Sequence, residues 1–182
     1  MAALSLICLL LAIGATEVER PAASEVPHAR MQALAPLAGD WTMAMAMTSD
    51  GGATWQAFPT ATVRFGWRMK ELMLMESPVN PPPGGFHVET VFSWDQYRDV
   101  YRVAAMDDTW GLMDIYEGRL EDGKLTVDNV RSGTTFPVGE GVERHFRLAI
   151  PIHGDERTMV IDASTDGGQT WGPAFRVDYR RK

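Results

Sequence analysis

The chain has 182 residues, 45% of them hydrophobic and 23% charged, which suits one globular domain with a real core. Its formal net charge of -7 gives an acidic surface that repels phosphate backbones, so nucleic acid is excluded as an expected partner. Eleven methionines and six tryptophans stand out. Methionine either fills gaps in a core or makes an adaptable apolar surface, and composition leaves both open.

In chain order, Ala2 to Ala15 form one apolar run. A membrane span needs ~20 residues, so the run is too short, and no stable span is expected in the mature chain. It fits the apolar region of a secretory signal, with Ile13-Gly14-Ala15 as the small-residue cleavage site, although no Lys or Arg precedes it. The expected location is therefore periplasmic or secreted. Cys8 is the only cysteine and lies inside this run, so the mature chain has no disulfide, thiolate metal site or cysteine nucleophile. Residues 1–15 are read as signal peptide, 16–29 as a polar linker, and 30–182 as one domain. His28 to Ala35 is read as a short helix stopped by Pro36.

Strand patterns follow. Gly39-Asp40-Trp41 opens a run in which Trp41, Met43, Met45 and Met47 alternate with Thr42, Ala44 and Ala46, the period of a half-buried strand. Val63, Phe65, Trp67 and Met69 repeat the alternation, and Leu72 to Met75 is continuously apolar. Val79 to Gly85 carries three consecutive prolines and two glycines, so it reads as a loop. Strand patterns resume at Phe86–Trp94, Val100–Met106, Leu112–Glu117, Lys124–Asn129, Arg144–Ile150, Thr158–Ala163 and Phe175–Tyr179, with Gly or Asp in most gaps. About ten strands without a long helical period point to an all-β fold, an antiparallel up-and-down barrel with a short N-terminal helix. Such a barrel is just filled by side chains or holds one small ligand.

Two stretches, Thr48 to Trp55 and Ser164 to Trp171, share the pattern [Ser/Thr]-x-Asp-Gly-Gly-x-Thr-Trp. It resembles the Asp-box, a hairpin turn found in sialidase-type propellers and other β proteins. Asp50 and Asp166 are expected to accept turn amides, the glycines to take positive φ, and Trp55 and Trp171 to pack beneath. A propeller needs four or more repeated blades of ~40 residues, which this chain lacks. The turns are instead expected to end the first and last hairpins and to share one rim of the barrel.

With Leu34-Ala35-Pro36-Leu37-Ala38-Gly39-Asp40-Trp41, the chain resembles the lipocalin-like barrels. It is more similar still to a bacterial domain-of-unknown-function family that begins Leu-x-x-Leu-x-Gly-x-Trp. Trp94-Asp95-Gln96-Tyr97 leading to Tyr101, and the ending Val177-Asp178-Tyr179-Arg180, extend the resemblance over roughly Leu34 to Lys182. The resemblance implies a Gly39-x-Trp41 barrel base closed by an arginine of the last strand, Arg180 or Arg176. The lipocalin disulfide is missing. A related haem-binding barrel class uses a His ligand, and no haem motif accompanies the isolated histidines here.

Chemistry is sparse. His28 lies in the linker and His153 in a turn, while His87 and His145 sit on strand faces that read as solvated. No His-x-His pair, Gly-x-Ser-x-Gly elbow, phosphate loop or dinucleotide fingerprint occurs, so no metal, cofactor or catalytic residue is assigned. The leading reading is a binding module, its interior lined by Trp41, Met43, Met45, Phe65, Trp67, Phe92 and Tyr101 around a small apolar or amphipathic ligand. Gly39, Asp50, Trp55, Asp166, Trp171 and Arg180 are structural. The alternatives are an accessory protein whose interior is filled, and a glycoside hydrolase carrying Asp-box turns. Ligand identity and oligomeric state are not legible.

Overall fold

The computed structural model describes residues 25–81 and 86–182. A helix α1 (Glu25–Gln32) and a 3-10 turn (Ala35–Leu37) precede twelve strands. They are β1 (Gly39–Met47), β2 (Gln56–Ala57), β3 (Ala61–Arg68), β4 (Met73–Pro78), β5 (Val88–Asp95) and β6 (Val100–Asp107). The rest are β7 (Met113–Glu121), β8 (Lys124–Asp128), β9 (Phe136–Gly139), β10 (Val142–Pro151), β11 (Glu156–Ser164) and β12 (Gly172–Arg181). Strand neighbours run β11-β12-β1-β3-β4-β5-β6-β7-β8-β10, and β10 pairs with β11, closing a ten-stranded antiparallel barrel. The short β2 and β9 pair only with β1 and β10 and stand outside the ring; neither shows in the hydrophobic pattern. The closed ring is not a propeller.

The signal-peptide reading at 1–15 and most of the linker reading at 16–29 lie outside the described residues. Where they overlap, Glu25 to Ala29 are helical rather than linker. The helix also ends at Gln32 instead of Ala35. Pro27 sits in the first turn, where its missing N–H is no loss, and Pro36 belongs to the 3-10 turn rather than ending α1. Met31, Leu34 and Leu37 are fully buried, so helix and turn close one end of the barrel.

Alternation sets the interior. Trp41 stands opposite Val63 and Arg181, and Met43 opposite Tyr179. Phe65 stands opposite Glu76, and Glu76 opposite Thr90. Arg157 stands opposite Tyr179. Paired residues share a face, so these side chains all point inward. Gly118 is an inward position where the β7 and β8 backbones converge: a Cβ there would collide with the Thr126 carbonyl.

Candidate functional site

The two halves of the interior differ in packing. At the closed base Trp41, Leu74, Val103 and Leu125 are fully buried. At the opposite end Met43, Met45, Met47, Phe146, Ile161 and Phe175 also face inward, yet they are only half-buried. Of these, Met43, Met45, Phe146 and Ile161 pack against the buried core while keeping part of their surface exposed, at the end where β1, β4 and β6 finish.

The base is built around Trp41. Its indole N–H donates to the Leu37 carbonyl at 2.8 Å. The Arg181 guanidinium lies 4.2 Å from the ring centroid and donates to the Ala38 and Pro36 carbonyls at 2.9 and 2.6 Å. Gly39 has φ +125°, and a Cβ there would meet Arg181 Nη1 at 2.8 Å, which explains the glycine before the tryptophan. The closing arginine is therefore Arg181, not Arg180 or Arg176. Strand period decides this: Arg181 shares the inward face of Val177 and Tyr179, while Arg176 and Arg180 point out. Arg180 pairs with Glu156 at 3.0 Å and Arg176 stacks on Trp55 at 5.2 Å.

Above Trp41 lies a polar group that sequence reading missed. Glu76 is only 7% exposed, and the Tyr179 hydroxyl donates to its Oε1 at 2.9 Å. Burial pushes its carboxyl up to about 7, while Tyr179, Arg157 and Thr90 pull the other way. The Tyr179 hydroxyl is raised well above its ordinary value, by burial first and then by the neighbouring carboxylate. Arg157, 6% exposed, has no hydrogen-bond acceptor for any guanidinium nitrogen among the described residues. Ring faces surround it instead: Trp41 at 3.9 Å, Tyr179 at 5.1 Å and Phe65 at 5.3 Å. Burial lowers it to about 10, opposed by Tyr179 and Glu76, so it stays charged at neutral pH. One signal was present in the sequence: Glu76 and Arg157 fall at inward positions of otherwise apolar strand patterns.

The residues expected to line a cavity separate accordingly. Trp41, Phe65, Phe92 and Tyr101 are packed into the base, where Phe65 contacts Phe92 and Tyr179. Tyr101 stacks on Trp94 and donates to the Arg30 carbonyl at 2.8 Å, fastening α1 rather than facing a ligand. Trp67 is half-buried near the base, and Met43 and Met45 are half-buried toward the opposite end.

The two repeated turns stand side by side at the open rim, where the Thr48 amide donates to the Ala174 carbonyl. Asp50 accepts the Thr54 amide and hydroxyl at 2.9 and 2.6 Å, and Asp166 accepts the same groups of Thr170 at the same distances. These bonds, the threonine hydroxyl foremost, hold both carboxyls well below the usual range. Gly51, Gly52, Gly167 and Gly168 all take positive φ. Each tryptophan carries a guanidinium, Arg176 on Trp55 and Arg147 on Trp171 at 4.6 Å. On the rim wall, buried Asp114 accepts both Asn129 bonds at 3.0 Å and the Thr134 hydroxyl at 2.7 Å, tying down the loop after β8.

Other titratable groups make no reactive constellation. His145, read as solvated, is 8% exposed and stands opposite buried Ser164. His87 pairs with Asp108 at 2.7 Å beside an outer groove of about 320 Å³ that Glu89 and Met106 also line. No serine, threonine or tyrosine hydroxyl is hydrogen-bonded to His87 among the described residues. Nor do these residues place three or more His, Cys, Asp or Glu to hold a metal, and none of their helices is long and apolar enough to cross a membrane.

No protein-family model matches the chain, and no curated relative matches it. Among solved structures, it is similar to that of Rv2717c from M. tuberculosis. The two are 15% identical, the match covers 84% of this chain and 96% of that one, and the TM-score is 0.40.

Proposed function

We propose that this barrel binds one small apolar or amphipathic molecule in the open half of its lumen, as an exported carrier or receptor. The observation behind the reading is the half-exposure of inward-facing Met43, Met45, Phe146, Ile161 and Phe175, set against a sealed base. Burial of apolar area would supply most of the affinity, at roughly 25 cal/mol per Å² before ordering costs. Unbranched methionines on the wall can repack around ligands of differing shape. The filled-core alternative draws on the packing of Met43, Met45, Phe146 and Ile161 against the buried core.

The test uses the neutral dye N-phenyl-1-naphthylamine and the purified chain. Saturable one-site fluorescence enhancement is expected, weakened tenfold or more by Met45→Asp, because an unpaired carboxylate on the wall disfavours an apolar occupant. Absence of saturable binding, with native mass spectrometry showing no retained molecule, overturns the proposal in favour of a filled interior.

A further inference from the structure

The groove on the outer wall holds a side chain whose chemistry the lumen does not use. His87 immediately precedes β5, and both its amide and its ring Nδ1 meet the Asp108 carboxylate, at 2.9 and 2.7 Å. An ionised carboxylate only accepts, so Nδ1 carries the proton and the lone pair of the neutral ring lies on Nε2. That nitrogen is shut off from solvent and has no hydrogen-bond partner among the described residues. A buried acceptor left unmet costs about 1–3 kcal/mol, which the packing of an outer wall gives no reason to keep.

Sulfur lies next to it. The Asp108 amide donates to the His87 carbonyl, and Glu89 stands opposite Met106. Met106 is thus the diagonal neighbour of His87 on the outer face, a separation that a long side chain spans. Both residues line the same groove, about 320 Å³ in volume. Met113 on β7 stands directly opposite Met106, and paired residues share a face, so a second thioether adjoins the first. Glu89, Asp107 and Asp108 also line the groove, and no Lys or Arg does among the described residues.

We propose that His87 Nε2 and the thioether sulfurs of Met106 and Met113 form a binding site for a soft monovalent metal ion of the Cu(I) class. Donor chemistry selects the ion. Thioether sulfur selects Cu(I), and imidazole suits copper as well. A hard or borderline divalent ion asks for more carboxylate, imidazole or thiolate ligands than this wall offers. The described residues place no group of three or more His, Cys, Asp or Glu fit to hold a metal. Asp108 fixes the tautomer and orientation of His87 from behind, as a carboxylate does for a metal-bound imidazole. The surrounding carboxylates favour a cation in the groove. The site stands apart from the lumen and its proposed ligand.

The experiment is titration of the purified chain with Ag(I), a redox-inert probe for such a site, in chloride-free buffer. Binding is read by calorimetry and by the methyl signals of isotope-labelled methionine. One saturable equivalent is expected, and it moves the Met106 and Met113 signals first. Met106→Leu keeps the side-chain volume and removes the sulfur, and it is expected to weaken Ag(I) by about tenfold or more, as is His87→Gln. Met69→Leu, at an exposed methionine of the β3–β4 turn, is expected to change nothing. Where His87→Gln fails to fold, Met106→Leu decides. Absence of saturable uptake overturns the site, as does unchanged affinity in Met106→Leu. A first equivalent that moves Met43, Met45 or Met69 instead also overturns it. Zn(II) binding as tightly as Ag(I) overturns the soft-ion assignment.

Discussion

The sealed base and the open rim are built from the same ten strands and the same inward alternation, yet they hold themselves together differently. At the base, one indole sits between two guanidinium groups, with Arg157 at 3.9 Å and Arg181 at 4.2 Å, and α1 caps the assembly. At the rim, inward residues contribute little enclosure, and order comes from hydrogen-bonded loops: two Asp-Gly-Gly turns and the Asp114–Asn129–Thr134 tie. The contrast teaches a division of labour. Cation–π and apolar packing dominate at the end that α1 covers, and turn hydrogen bonds at the other.

The largest break in that contrast should come from Trp41→Ala. It removes the fully buried indole from between two charges and is expected to cost about 3–5 kcal/mol in urea unfolding. A loss under about 1 kcal/mol would mean that the base is not the stability centre. Next comes Glu76. Its folded carboxyl titrates near 7 against an unfolded value of 4.5. A raised value favours the fold when the group is protonated. Stability from this source is therefore complete below about pH 4.5 and lost as pH climbs through 7, about 3 kcal/mol in all. Glu76→Gln should flatten that decline, measured as unfolding free energy at pH 5 and pH 8; an unchanged slope would place the pH dependence elsewhere.

Smaller effects are expected at the rim. Asn129→Ala removes two of the hydrogen bonds to buried Asp114 and takes the Asn129 acceptor from the Phe146 amide, and about 1–3 kcal/mol should be lost. Met45→Ala removes an inward side chain that is only half-buried, so on the proposed function about 1 kcal/mol or less should be lost while dye affinity falls. Were Met45→Ala as costly as Trp41→Ala, the barrel would be a packed core at both ends.

Much of the barrel was legible because period-two alternation needs no tertiary information. Trp41, Met43 and Met45 could be put on one face, and the turns at Asp50 and Asp166 on one rim, from spacing alone. Three features were not. Which inward residues are sealed and which line an opening depends on where α1 docks, and an eight-residue helix with no clear apolar stripe does not announce its docking site. Arg181 shares the face of Val177 and Tyr179, but a chain ending in Arg180-Arg181-Lys182 does not show that the strand runs as far as Arg181. Glu76 and Arg157 were not singled out, because their partners lie far away in sequence: Tyr179 is 103 positions from Glu76.

The Arg181 amide donates to the Asp155 carbonyl and the Lys182 amide to the Asp40 carbonyl, while α1 lies across the same end. The last residue and the first described one thus share a pole of the molecule. A tether fixed at Lys182, whether resin, affinity handle or engineered lipid, would hold the protein by its stopper and turn the opening toward the surrounding fluid.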